Sequence, residues 1–482
     1  MILRDVLRFV TMLVLVRLLQ PSDYGTVALA ESIVALLSVV SFNTLVSHAL
    51  QARDPVDIDW QAHFTAGAVV NTLLALVTLV VAWGLTFSDL YAAAAGPLAV
   101  LSLVFIVEIP AALRQRMLQV THEWRRFRSL IFVGSLLSSF VGILIALLGG
   151  GFWALAVQPV VLGLPAMLDL FTIAKWRPRL SWSWERYRAT ASFGATRITS
   201  GLLRNGRETF EQSILAGTYQ FAGLGIFTRA VGLGTLIAGR IGIVAVDSLY
   251  PVITRAEPRS VRFRRYAGLI MRGVCWTTIP SSVLLALFAS DIVTLLYGPK
   301  WIEVIPLLPL AAIAVGFGTM AMAAQSLLLA DGETRACLAI DVVSATLGVA
   351  LAFALVPLGL QIYLGALVVH GVALLGLSSH MLLRTGGIDG TNLLKAFLPP
   401  LLAVAAASGA VVAARLTIGS STVMPLRFSS ESALFTIVYL GMLRLTFPRA
   451  LRELIEAAPA SKFLSGLLVL APSATNRFLN RP

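Results

Sequence analysis

HFTAGAVVNTLLALVTLVVAWG at 63–84 leads through the short turn TFSDL (86–90) into YAAAAGPLAVLSLVFIVEIPAA at 91–112, and LRQRMLQVTHEWRRFR follows at 113–128. Each apolar run is long enough at 1.5 Å per residue to cross a hydrocarbon layer of about 30 Å. The first carries no Asp, Glu, Lys or Arg and the second carries only Glu108, whereas the segment after them holds five arginines. Two helices crossing a bilayer, with a small turn on one side and a basic block on the other, account for this pattern.

The pattern repeats along all 482 residues, of which 57% are hydrophobic and 13% charged, with a mean hydropathy of +0.85. A soluble chain of this size cannot bury that much apolar surface. Expected spans run about 3–19, 26–50, 63–84, 90–112, 129–149, 152–174, 191–215, 221–248, 267–289, 303–329, 337–357, 360–382, 396–415 and 431–447. The predicted class is an all-α polytopic membrane protein of 12–14 transmembrane helices. No cleavable signal is visible, and MILRDVLRFVTMLVLVRLL (1–19) reads as a short first span. The segments 113–128, 175–188 and 255–272 hold five, five and six basic residues and fall on one side, so the N-terminus is expected in the cytoplasm of a multi-pass inner-membrane protein. The net charge of +13 then faces anionic lipid headgroups and not nucleic acid.

The expected organisation is an N-terminal six-helix bundle (1–174), a basic cytoplasmic loop (175–190), a second six-helix bundle (191–382), two further helices (383–447) and a cytoplasmic tail (448–482). The start of that tail is expected to lie along the membrane surface as an amphipathic helix. PSDYG (21–25) and YGPKW (297–301) are a faint echo between the halves, as two pseudo-symmetric bundles around a central cavity would give.

The seventh span, FGATRITSGLLRNGRETFEQSILAG (193–217), breaks the apolar rule. Arg197, Arg204, Glu208 and Glu211 are spaced seven, four and three apart and fall within about 60° on a helix. Arg207 lies beside the stripe, four residues before Glu211, and Gln212 follows it. The eighth span adds Arg229, Arg240 and Asp247, eleven and seven apart and nearly in line. Such groups cost several kcal/mol each in hydrocarbon, so they must face protein or a water-filled cavity. Five arginines against three acids suit an anionic ligand such as a diphosphate, which Arg binds through its planar fork. The opposing reading is internal pairing, because Arg204/Glu208 and Arg207/Glu211 both stand at i,i+4.

Glu31, Asn43, Asn71, Glu108, Gln158, Asp169, Gln325 and Asp341 are scattered one to a helix, and interhelical hydrogen bonds are their default role. No nucleophile elbow, phosphate loop or metal-protease motif is present, the five histidines are dispersed, and Cys275 and Cys337 define neither a disulfide nor a metal site. Neither a catalytic residue nor a metal or other cofactor is expected.

RLLQPSDYGTVALA (17–30), IFTRAVGLGTLIAGRIG (226–242) with YPVITR (250–255), and ALFASDIVTLLYGPKWIEVIPLLPLAAI (286–313) resemble the polysaccharide biosynthesis and export proteins of the Wzx type. These belong to the MATE-like multidrug/oligosaccharidyl-lipid/polysaccharide exporter superfamily. The resemblance implies two inward-facing bundles and the movement of polyprenyl-pyrophosphate-linked oligosaccharide repeat units across the bacterial inner membrane, for exopolysaccharide, capsule or O-antigen. In the seventh span the family commonly shows an Asp-Asn pair where this chain has Glu211 and Gln212. The resemblance also implies a longer first helix than this chain carries. Arg204, Arg207 and Arg229 are then the expected pyrophosphate ligands, with Arg197 and Arg240 in support. Glu208, Glu211, Gln212 and Asp247 are expected to orient them or to couple transport to H+ or Na+. Membrane lipids and polysaccharide-assembly proteins are the further expected partners. The rival readings are a MATE-like exporter of small organic cations and a membrane-bound glycan ligase or polymerase.

Overall fold

The computed structural model describes residues 2–41, 59–179, 181, 184–418 and 424–457, with the side chains of 2, 184–197, 241, 245, 248, 251, 418 and 455–457 outside that description. Asn43, the Arg197 side chain and the tail beyond Ala457 therefore lie outside the described residues. The chain is all-α and polytopic. Among the described residues ten helices are long and apolar enough to cross a membrane, or eleven if one pair bent by 109° counts as a span.

The chain divides into two compact units. Unit 1 comprises Met1–Arg229, Leu296–Val304 and Asp341–Tyr363, and unit 2 comprises Ala230–Leu295, Ile305–Ile340 and Leu364–Pro482. In unit 1, α1 (Ile2–Leu18), α2 (Pro21–Ser38), α3 (Trp60–Leu85), α4 (Ala92–Val120), α5 (Trp124–Leu147), the single turn α6 (Trp153–Ala156) and α7 (Gln158–Thr172) precede the long α8 (Trp184–Gly234). A π turn (Thr235–Gly239) and α9 (Arg240–Ile253) lead on to α10 (Val261–Leu287) and α11 (Ala289–Leu296). A 3-10 segment (Pro299–Val304), α12 (Leu308–Ala330), α13 (Thr334–Leu355), α14 (Leu360–Arg384), α15 (Gly390–Ile418), α16 (Met424–Thr446) and α17 (Pro448–Ala457) complete the chain.

Local chemistry sets several helix starts. Asp59 caps α3 by accepting from the N–H groups of Gln61 and Ala62 at 3.1 and 3.0 Å. Pro21 opens α2, where Asp23 reaches back to accept from the Gln20 N–H at 2.9 Å. Ser260 accepts from Phe263 N–H at 3.1 Å to start α10. The apolar side chains then point outward as well as inward: Val80 on α3 is 64% exposed, Phe140 on α5 62% and Val369 on α14 69%. Lipid is the solvent in which such an exterior is favourable.

The difference from fourteen expected spans has identifiable causes. Helix α1, at 17 residues, is short, and the second span, expected at 26–50, runs past Ser41, where the described residues stop. The seventh and eighth spans form one continuous helical assignment, broken at Gln220 (φ 57, ψ −176) inside the expected turn. That backbone region is costly for any residue with a Cβ. Tyr219 beside it donates its hydroxyl to Val356 O at 2.6 Å, which pins the break. The start of the tail does form a helix, α17, and it docks on α10 through Glu453 and Arg272 at 2.6 Å.

Several scattered polar residues pair between helices. Asn71 on α3 donates to Phe105 O at 2.9 Å and to Glu108 at 3.1 Å on α4. Asp169 on α7, 4% exposed, accepts from Arg114 at 2.6 Å and from Arg126 at 2.8 Å, so two arginines of the basic segment 113–128 turn inward. Removing one member of a buried pair strands the other's charge and costs about 3–5 kcal/mol. Asp169→Ala is therefore expected to lower the unfolding temperature of the detergent-purified protein by several degrees, with Asp169→Asn intermediate; a melting curve superimposable on wild type would contradict this.

Candidate functional site

A cavity of about 410 Å³ lies within unit 1, bounded by α1, α2, α5, α7 and the end of α8. Its charged wall carries Arg8 on α1, Glu31 on α2 and Arg229 on α8. Ser135, Ser138 and Ser139 of α5 and Gln158 of α7 add an uncharged polar lining.

Arg229 is held from several directions. Its guanidinium lies 4.5 Å from the centroid of the Tyr24 ring, a cation–π arrangement. Tyr24 meets the Trp301 indole edge-on at 5.3 Å, and Tyr297 packs on the same indole at 5.6 Å. Trp301 is fully buried and donates its Nε1–H to Val16 O at 2.8 Å, while Lys300 donates to Arg17 O and Leu18 O at 3.3 and 3.2 Å. PSDYG and YGPKW, separate echoes in the sequence, thus meet at the last turn of α1. Arg229 forms no salt bridge among the described residues, and its Nε is buried without a hydrogen-bond acceptor.

The backbone beneath Arg229 is fixed by a glycine crossing. A Cβ on Gly25 would run into the Phe221 carbonyl, and one on Gly225 would run into the Pro21 carbonyl. Only glycine at both positions lets α2 and α8 touch main chain to main chain, and Arg229 stands one helical turn beyond Gly225.

The stripe on the first arm of α8 has a different setting. Arg204 and Glu208 are exposed, Arg207 is partly buried with its methylenes against Gly348, and Glu211 is buried. Tyr363 donates its hydroxyl to Glu211, and the charge of Arg207 acts on the same carboxylate. Gln212 Oε1 is buried without a donor. Among the described residues, neither i,i+4 pair closes into a salt bridge. Arg240 and Asp247 are exposed and belong to unit 2. The π turn at 235–239 lies between Arg229 and Arg240, so the regular 100° register that aligned them in the sequence does not carry through. Sequence reasoning missed Arg8, a charge within the short first span, and left Glu31 among the scattered polar groups.

The polysaccharide biosynthesis protein family matches residues 14–306, which is more than half of the chain. The chain belongs to this family. The matched range takes in the last five residues of α1, the glycine crossing, Arg229 and the YGPKW segment. The succinoglycan biosynthesis transport protein ExoT of Rhizobium meliloti (strain 1021) is 25% identical over 319 residues, covering 65% of this chain and 63% of that protein. The chain thus aligns with under two thirds of the length of its curated relative. A solved structure of the lipid II flippase MurJ in an inward closed conformation has a TM-score of 0.69 at 11% identity, covering 94% of this chain and 100% of that one. An inward-facing MATE family multidrug resistance transporter of the MOP superfamily has a TM-score of 0.53 at 17% identity, covering 79% and 95%. This family member therefore has the fold of the MOP superfamily transporters. Among the described residues, no group of three or more His, Cys, Asp or Glu side chains is placed to hold a metal ion.

Proposed function

We propose that the chain moves polyprenyl-pyrophosphate-linked oligosaccharides from the cytoplasmic to the periplasmic leaflet of the bacterial inner membrane. The observation that carries this reading is Arg229: a guanidinium fixed on an aromatic ring, without a carboxylate salt bridge among the described residues, lining a cavity inside a membrane-embedded unit. A diphosphate cannot enter hydrocarbon, because each charge would lose its hydration. Arg229, held on the Tyr24 ring, and the exposed Arg8 offer N–H donors in place of that hydration, and the polyprenyl tail stays in lipid. Arg204 and Arg207 supply further positive charge along α8. Glu211, oriented by Tyr363 and facing Arg207, is the carboxylate that would titrate if transport is proton-coupled. The N-terminus is cytoplasmic in this reading, which puts the basic segments on the side where the cargo is made.

A MATE-like exporter of organic cations is disfavoured by two arginines against one carboxylate on the charged wall, since such a wall repels cations.

The test is the leaflet distribution of lipid-linked oligosaccharide in cells lacking the gene, complemented with wild type or with Arg204→Ala plus Arg207→Ala at equal membrane abundance. Accumulation in the cytoplasmic leaflet, relieved by wild type and about tenfold less by the double variant, is the expected result. Full relief by the double variant would make those arginines structural, and no accumulation in the deleted strain would sink the transport reading.

A further inference from the structure

We infer that the serine-and-glutamine wall of the unit 1 cavity reads the sugar next to the pyrophosphate, and so helps to choose which glycan is carried. The inference rests on the transport reading above and concerns residues that reading does not use.

The argument is an inventory of protons. Ser135 donates its hydroxyl proton to Ile131 O at 2.9 Å, Ser138 donates to Gln158 O at 2.9 Å, and Gln158 Nε2 donates to Ala154 O at 2.7 Å. With those protons committed, Ser135 and Ser138 present only lone pairs to the cavity, while Gln158 keeps its amide oxygen as an acceptor and its second Nε2–H as a donor. Ser139, one residue on from Ser138, is 6% exposed, lines the cavity and makes no hydrogen bond among the described residues. Its hydroxyl is open to the cavity and free to donate to, or accept from, a ligand group.

Acceptors fixed in this way discriminate by chemistry. A fully ionised diphosphate only accepts hydrogen bonds, so it gains nothing from the Ser135 and Ser138 oxygens and is drawn to Arg8 and Arg229. A sugar hydroxyl both donates and accepts, which lets it satisfy Ser135, Ser138 and Gln158 as a donor and pair with Ser139 in either sense. The volume of about 410 Å³ falls within the roughly 300–1,000 Å³ of small-molecule sites. One cavity thus offers donors for the phosphates and acceptors for the first sugar.

The experiment measures binding of short polyprenyl diphosphates to the full-length purified protein: the bare lipid, and the same lipid carrying one glucose, galactose or N-acetylglucosamine. Wild type should bind at least one of the sugar-bearing lipids about tenfold more tightly than the bare one, the effect of one to two net hydrogen bonds. In Ser139→Ala combined with Gln158→Leu the ratio of the two affinities should fall towards one. Arg229→Ala should weaken both lipids and keep the ratio. A tenfold ratio preserved in the double variant, or no ratio in wild type for any of the sugars, overturns the inference while leaving transport intact. Failure of wild type to bind any of the lipids overturns the transport reading, and this inference with it. Should the double variant bind neither lipid, Ser139→Ala alone, which breaks no hydrogen bond, is judged by the same ratio.

Discussion

Gly225→Ala is expected to cut the amount of folded protein in the membrane severely, and Gly25→Ala to do the same. The new methyl at either position meets a carbonyl of the other helix, so the main chains themselves must part. Overpacking against side chains costs about 1–3 kcal/mol, and a clash with backbone, which has no rotamer to escape into, belongs at or above the top of that range. The double substitution should be far less than additive, because a single crossing is lost in every case. Gly365→Ala on α14 is the control: nothing stands within 4 Å of the added methyl, and alanine in a helix interior is favoured over glycine by up to about 1 kcal/mol. Thermal unfolding of the three purified single variants checks this. Equal melting temperatures for the Gly225 and Gly365 variants would show that the crossing is not tight.

Arg229→Ala is expected to lower transport at least a hundredfold at matched abundance. The substitution removes the guanidinium at the heart of the charged wall, and charge-assisted bonds to a phosphate contribute about 1.5–3 kcal/mol each. Arg229→Lys keeps the charge but not the planar fork or the stack on Tyr24, so it should recover only part of the loss. Tyr24→Phe retains the ring, and the Tyr24 hydroxyl has no partner to lose among the described residues, so transport close to wild type is expected. The readout is the leaflet assay described above. Near-normal transport by Arg229→Ala would reduce the residue to a packing element between α2 and α8.

The helices were legible wherever hydropathy alone decides. The runs read at 63–84 and 90–112 became Trp60–Leu85 and Ala92–Val120, lengthened at one end by the Asp59 cap and at the other by the amphipathic turn that carries Arg114. The break at Gln220 was legible as the gap between the spans expected at 191–215 and 221–248. The π turn was not, since TLIAG has the same hydropathy in either helix type, and that single turn undoes the alignment of Arg229 with Arg240. Arg229 stood out in the sequence as a charge in an apolar run. Its aromatic support did not, because nothing local says that Tyr24, Tyr297 and Trp301 converge. PSDYG and YGPKW were noticed for their likeness to each other, whereas the structure relates them by contact. Long-range packing of this kind is set by the tertiary fold and leaves no periodicity to read.

The segment Leu296–Val304 carries a consequence for how the protein is made. Val16, Arg17 and Leu18 offer carbonyls whose donors, Lys300 and Trp301, are encoded more than 280 residues later. At a synthesis rate of roughly 5–20 residues per second, the end of α1 waits on the order of 15–60 s for them. During that interval the first helix sits in the bilayer with its terminus unsealed, and the unit it belongs to cannot close. Nascent chains stalled before Pro299 should therefore expose this end of α1 to proteases and to the insertion machinery, and chains stalled well beyond Val304 should not.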